Sequence, residues 1–272
     1  MKLHRLLVCV LLLLVASAAS AEVLIVADEI PAMRTLAREL KAEENVDSQI
    51  ISFAHPNKKG EMPDTAGASG TNLPPDLSSY QAVIVYIHGD LAENAENAFI
   101  DYATNGGKLV LLHHSISTGK RKNPHWFPFL GVELPEGDLE HGGYKWIENS
   151  NVTWSIVNLA PKNFITTNKV VYPEKIPYTS TTTATPHDGL PGFTFHGDEV
   201  YLNHLLKGPH TLLLGFKYTD ATTGVTYMQD RAGWIKSAGK GWVIYLMPGH
   251  HVWDFEDAAY SRIVLNAIIY KP

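Results

Sequence analysis

Imidazoles and carboxylates in this sequence fall directly behind apolar runs of strand length. Asp28 and Glu29 follow Glu22–Ala27, His88 and Asp90 follow Ala82–Ile87, and His113, His114 and Ser115 follow Lys108–Leu112. His250 and His251 come after Gly241–Met247, and an acidic pair stands in His196-Gly197-Asp198-Glu199-Val200-Tyr201. Histidine and carboxylate side chains bind divalent metals and move protons near neutral pH. The pattern therefore points to metal-assisted or general acid–base chemistry.

Each residue also has an ordinary reading. A lone histidine after a strand is commonly a solvated or capping residue, and Asp28-Glu29 would favour the positive end of the helix that follows. Neighbours in extended chain point to opposite faces, so one member of each His-His pair is expected to face a common crevice. The six tryptophans, Trp126, Trp146, Trp154, Trp234, Trp242 and Trp253, read first as core and second as sugar-stacking surfaces. What favours a site is the convergence of several groups on one set of strand ends.

The elements that must position them follow from periodicity. After the first apolar run, Pro31 opens a helix with Met33, Leu36, Ala37 and Leu40 on one face. Gln49–Phe53 reads as a second strand, and His55–Asp76, rich in proline and glycine, as a long loop. Ala82–Ile87 is a third strand. Ala95, Ala98, Phe99 and Tyr102 mark a helix stopped by Asn105-Gly106-Gly107 ahead of the fourth strand, Lys108–Leu112. Thr211–Lys217 and Gly241–Met247 are strand-like, and Ala258, Ala259, Ile263, Val264, Ala267 and Ile268 share one face of a closing helix. This β-α-β-β-α-β order predicts an α/β, flavodoxin-like doubly wound sheet, mainly parallel. An irregular insertion is expected between about 120 and 190, with short strands at Tyr144–Ile147 and Thr153–Val157. Ligands of such sheets bind outside the carboxyl ends of the strands, where the imidazoles and carboxylates lie.

Residues 1–21 have the anatomy of a secretory signal peptide. Lys2, His4 and Arg5 precede the apolar run Leu6–Val15, and Ala19-Ser20-Ala21 fits the cleavage site. That run is too short to span a bilayer, so a single domain over 22–272 is expected in the periplasm or medium, with no membrane contact after cleavage. The sole cysteine, Cys9, lies inside the leader, which removes thiolate nucleophiles and cysteine metal sites from the mature chain. A net charge of −6 and the absence of a basic stripe exclude a nucleic-acid binder. GxGxxG after the first strand, GxxxxGK[ST], GxSxG and HExxH are all absent. Asn151-Val152-Thr153 fits an N-glycosylation acceptor.

Four stretches in order resemble the trehalose-utilisation (ThuA-like) family of the class I glutamine-amidotransferase-like superfamily. They are Asn105-Gly106-Gly107-Lys108-Leu109-Val110-Leu111-Leu112-His113, then Phe127-Pro128-Phe129-Leu130-Gly131, then Gly197-Asp198-Glu199-Val200-Tyr201. The last is Gly239-Lys240-Gly241-Trp242-Val243-Ile244-Tyr245 with Gly249-His250. The resemblance implies sugar utilisation and a flavodoxin-like fold. Amidotransferases of that fold carry a nucleophilic cysteine in the turn where this chain has His113-His114, so glutamine amidotransfer is excluded, while the late histidine survives as His250. The expected catalytic residues are Glu199, Asp198, His113 and His250, and His113, Glu199 and His250 are the expected ligands of a divalent metal, zinc first. Asp28, His88, His114, Ser115, Tyr201 and Trp253 are the expected contacts to a small carbohydrate. Isomerisation or hydrolysis of a sugar or keto-sugar fits this set. The rival is a non-catalytic carbohydrate- or partner-binding module. Tyr172–Pro191 reads as an inserted Thr/Pro-rich loop.

Overall fold

A computed structural model describes residues 22–52, 73–116 and 123–271. The expected leader, and the part of the proline- and glycine-rich stretch up to residue 72, lie outside the described residues.

Strand β1 (Val23–Ala27) is followed by helix α1 (Ile30–Glu44), β2 (Ser48–Ser52), β3 (Ala82–Tyr86), α2 (Glu93–Thr104) and β4 (Lys108–Leu112). β1, β3 and β4 are buried at every position, as apolar runs covered on both faces must be. Pro31 sits in the first turn of α1, where an N–H has no helical partner to lose, and Met33, Leu36 and Leu40 are buried. α2 stops as expected at Asn105, and Gly106 then takes a φ of +121°.

The chain continues through α3 (Trp126–Leu130), β5 (Val132–Glu133), β6 (Lys145–Glu148), β7 (Thr153–Asn158) and α4 (Phe164–Thr167). Then come β8 (Glu174–Thr179), β9 (Pro186–His196), β10 (Glu199–Leu202), β11 (Leu205–Leu206) and β12 (Thr211–Thr219), and finally β13 (Thr226–Ala238), β14 (Gly241–Leu246) and α5 (Ala258–Ile269). Ten strands form one sheet in the order β2-β1-β3-β4-β14-β13-β12-β7-β9-β8. From β2 to β14 all neighbours are parallel, and from β14 to β8 all are antiparallel. β1, β3, β4 and β14 are adjacent and parallel, so the residues behind them open on one rim. Among the described residues, no helix is long and apolar enough to cross a membrane.

In the stretch 120–190 the two short strands expected are present as β6 and β7, while its end is more regular than expected. β7, β8 and β9 extend the main sheet, and Tyr172–Pro191 contains a hairpin instead of a loop. Its turn is held by one carboxylate from β13: Asp230 accepts Tyr178 OH at 2.7 Å, Ser180 Oγ at 2.6 Å and the Thr182 N–H at 2.8 Å. Pro177, Pro186 and Pro191 mask the strand pattern, yet Pro177 lies on the edge strand β8, and Pro186 and Pro191 lie on the part of β9 before its pairing with β7 begins at Gly192, so each has a side where a missing N–H is tolerated.

Gly239-Lys240-Gly241 owes its glycines to close backbone packing between the β13–β14 turn and the end of α2. Gly239 has φ +58°, and a side chain at Gly241 would drive into the carbonyl oxygens of Gly107 and Ala103. Neither is the end of a flexible side chain, so relief requires the backbone to move. Gly241→Ala is therefore expected to lower unfolding free energy by about 2 kcal/mol or more, measured by urea denaturation. A change under about 0.5 kcal/mol would show that this contact is not tight.

Candidate functional site

His113 and His114 leave β4 in a single 3₁₀ turn, His113–Ile116, with His113 at φ +32°. The chain is no longer extended there, so the opposite-face rule lapses and both rings reach the same rim. That corrects the expectation of one inward histidine per pair. His113 stacks on Tyr201 (centroids 4.8 Å apart) and His250 (5.1 Å), while His114 lies against His88 (3.3 Å) and Tyr86 (4.9 Å). The second pair behaves likewise, with His250 and His251 stacked at 4.3 Å.

His113 is fully buried and both its ring nitrogens are engaged. Nδ1 lies 2.5 Å from the Met247 carbonyl oxygen, which can only accept, and Nε2 lies 2.8 Å from Glu199 Oε2. Burial alone would lower the imidazole pKa, but the hydrogen bond and charge of Glu199, with Asp198 behind it, raise it above the ordinary value. Glu199 is pushed up by burial and pulled further down by His113 and His250, so its carboxyl ends below its usual range. The two form an imidazolium–carboxylate pair. Tyr201, buried on β10, donates its hydroxyl to Glu199 Oε2 at 3.1 Å. β10 pairs antiparallel with β6, Glu199 opposite Glu148, and this short ladder carries the acidic pair onto the rim.

His250 is held differently. Burial, and then the charge on His113, push its pKa down to about 3, so it is neutral. Its Nδ1 lies 3.9 Å from Asp198 Oδ1 and 3.9 Å from Glu199 Oε2, and its Nε2 lies 3.9 Å from the exposed Glu148. Asp198 is buried and its pKa raised by that burial; its Oδ2 accepts Trp154 Nε1 at 2.7 Å. Asp198 Oδ1 and His250 Nδ1 are buried with no hydrogen-bond partner among the described residues. Leaving such atoms unpaired costs about 1–3 kcal/mol each, so the site holds open a demand that a bound group or a small closure would meet.

On the β1–β3 side, Asp28 accepts the His88 N–H at 2.9 Å and lies 3.0 Å from His88 Nδ1. Ser115 stands apart. Its hydroxyl donates to the Val85 carbonyl at 2.9 Å and the Leu112 carbonyl at 3.1 Å inside the core, so it joins β3 to the turn and touches no ligand space. Trp253 is 58% exposed and stacks on His251 at 4.1 Å, placing an aromatic face at the mouth. Two participants escaped sequence reasoning. Tyr86, hidden in the apolar run of β3, donates to the Gly249 and His250 carbonyls at 2.9 Å each and fixes the loop bearing His250. Asp254 accepts the His251 N–H at 2.7 Å, and burial and Asp198 push its pKa up to about 7.

The trio His113, Glu199 and His250 thus comes together, but as a proton-sharing pair beside a neutral imidazole. Two ligands of a tetrahedral zinc, each bonded at about 2.0–2.1 Å, stand about 3.3 Å apart. The 2.8 Å His113–Glu199 separation is a hydrogen bond, and a metal there would have to break it. A cavity of about 950 Å³ lies at the other end of the sheet beside Gly107, Lys108 and Trp242, and among the described residues no histidine lines it. The chemistry, not the volume, marks the rim as the site.

Residues 65–271 match the family model for ThuA, trehalose utilisation. The chain belongs to the ThuA family. No curated protein matches it. A ThuA-like protein from Bacteroides uniformis superposes with a TM-score of 0.58 at 15% identity, covering 93% of this chain and 91% of that one. A cytoplasmic protein from Salmonella typhimurium gives 0.51 at 14% identity, over 91% and 98% of the two chains. Agd3, described as a carbohydrate deacetylase, gives 0.52 at 10% identity over 90% of this chain but only 32% of its own. At these identities the likeness is one of fold. All four stretches that resemble ThuA proteins fall within the matched residues 65–271: the first ends at His113, the third carries Asp198 and Glu199, and the last ends at His250. The second, Phe127–Gly131, belongs to α3 and its Gly131 cap, which takes φ +64°.

Proposed function

We propose that this ThuA-family protein is an exported enzyme that moves a proton on a keto-sugar, shifting the position of its carbonyl. The observation that carries this reading is His250: a neutral imidazole with Nδ1 turned to two buried carboxylates and Nε2 turned to the exposed side. His250 Nδ1 has no hydrogen bond among the described residues, and shortening of its 3.9 Å contacts on substrate binding would orient the ring and lift its basicity from the low value that burial imposes. His250 Nε2 takes the proton from the carbon beside the carbonyl, and the C–H electron pair moves into an enediolate. Asp198 and Glu199 then face the imidazolium just formed. The same ring returns the proton to the former carbonyl carbon while the hydroxyl proton passes to the former carbonyl oxygen, so no atom is gained or lost. His113 positions Glu199. The carbohydrate assignment is supported by the family's description, trehalose utilisation.

Incubating the protein in D2O with a panel of keto- and aldo-sugars is the direct test. Deuterium should enter at the carbon next to the carbonyl, and His250→Gln should abolish it. Absence of exchange across the panel overturns the reading. Sugar binding without exchange, lost in Trp253→Ala and kept in His250→Gln, would instead support a recognition module, which the exposed Trp253–His251 stack favours. Export is part of the proposal: N-terminal sequencing of protein recovered outside the cytoplasm should begin at Glu22.

A further inference from the structure

We propose that Glu29, His88 and His114 form a binding site for a single zinc-like divalent cation beside the His250 pocket. The site is independent of the proton-transfer reading and stands or falls without it. Glu29 follows β1, His88 follows β3 and His114 follows β4, so three adjacent parallel strands deliver one donor each. His88 Nε2 lies 3.6 Å from Glu29 Oε1, and His114 Nε2 lies 4.0 Å from Glu29 Oε2. One ligand atom from each of the three residues lies within 4.8 Å of the others. Two imidazoles and a carboxylate with a position left open are a donor set of catalytic zinc sites, and small inward movements bring these separations to the spacing zinc requires.

The surroundings are those of a metal site. Asp28 engages His88 Nδ1 at 3.0 Å and also accepts the His88 backbone N–H, which fixes the ring and leaves Nε2 as the lone-pair atom. Tyr86 OH stands 3.3 Å from Glu29 Oε2, its single proton shared with the nearer Gly249 and His250 carbonyls. Side-chain exposures of 26% for His88 and 37% for Glu29 give an ion a route in from solvent. The other two histidine groupings on the rim are spent. His113 uses both nitrogens on Met247 and Glu199, while His251 bonds Gly197 O through Nε2 and its side chain also accepts the Asp254 N–H.

Calorimetric titration of the untagged, chelator-stripped protein with zinc chloride tests this. One equivalent is expected to bind, with Glu29→Gln and His88→Gln each weakening it at least tenfold and Asp28→Asn weakening it by about 10–100-fold. Glu199→Gln and His250→Gln should leave zinc affinity unchanged. No saturable one-to-one binding overturns the proposal, as does binding indifferent to both Glu29→Gln and His88→Gln. Loss confined to Glu199→Gln and His250→Gln overturns it too, by placing the ion on the His113–Glu199 side. Glu29 is partly exposed, so its variant keeps the test decisive if His88→Gln fails to fold. Deuterium exchange on keto-sugars is a separate readout, so failure of one proposal leaves the other measurable.

Discussion

Glu199→Gln is expected to lower proton exchange on a keto-sugar by about two to four orders of magnitude, the contribution typical of a general acid–base group. Glutamine has nearly the shape of glutamate, so β10 and its ladder with β6 should persist. What changes is charge. His113 Nδ1 remains bound to the Met247 carbonyl, but Nε2 loses its anionic partner, and a fully buried imidazolium is not sustained without one. His113 therefore sheds its proton, and the carboxylate that faces the His250 imidazolium during turnover is gone. Because the lost interaction is strongest after proton transfer, the effect should fall on kcat and leave KM within a few-fold. Tyr201→Phe separates positioning from charge: it removes one hydrogen bond to Glu199, and its loss in kcat should be nearer tenfold. Kinetics of the three proteins, with thermal melts to confirm folding, decide the matter. An unchanged kcat in Glu199→Gln would remove Glu199 from the chemistry.

How much of this was readable from letters depends on the range of the forces involved. β1, β3, β4 and β14 announce themselves locally, since apolar runs of strand length bounded by turn residues admit few other fates. Their parallel order places Asp28, His88, His113 and His250 at one rim without further information. The direction of each side chain does not follow from that order. His113 and His114 both face the rim because a 3₁₀ turn starts at His113, and a single φ of +32° is a backbone event that residue types do not record. Asp198 and Glu199 reach the site through a ladder between β10 and β6, more than 50 residues away in sequence, and pairing over that distance has no local mark. Ser115 stands in the expected place after β4, yet its small hydroxyl is satisfied by Val85 and Leu112 in the core. Tyr86 was hidden for the opposite reason: it lies inside an apolar strand, and only its hydroxyl reaches the loop it holds. The hairpin of β8 and β9 was masked by prolines that are tolerated because Pro177 is on the edge strand and Pro186 and Pro191 precede the pairing of β9 with β7.

A large share of the acid sensitivity should come from His204, which takes no part in the proposed chemistry. It is fully buried, its Nε2 bonds the Arg231 carbonyl at 3.2 Å, and Arg231 donates in return to the His204 carbonyl. Burial, reinforced by the positive charge of Arg231, pushes its pKa down to about 3, against 6.5 in an exposed imidazole. Between those two values the unfolded chain carries a proton that the folded chain does not. Stability is therefore complete above about pH 6.5 and falls as pH drops, by about 1.4 kcal/mol per unit until the folded group titrates. Over that window the loss reaches about 4–5 kcal/mol, a large share of the roughly 5–15 kcal/mol that holds a typical domain together. His250, also pushed down to about 3, adds a term of the same sign, so the wild-type curve alone does not isolate His204. The difference between wild type and His204→Gln does, because glutamine can still donate toward Arg231 but carries no titrating group. Urea denaturation at pH 4, 5, 6 and 7 should show the variant losing less stability with each step down, by about 0.7 kcal/mol from pH 7 to 6 and about 1.4 kcal/mol per unit below that. Parallel curves for the two proteins would mean that His204 is protonated in the folded state, and that the acid weakness lies in the imidazoles of the rim.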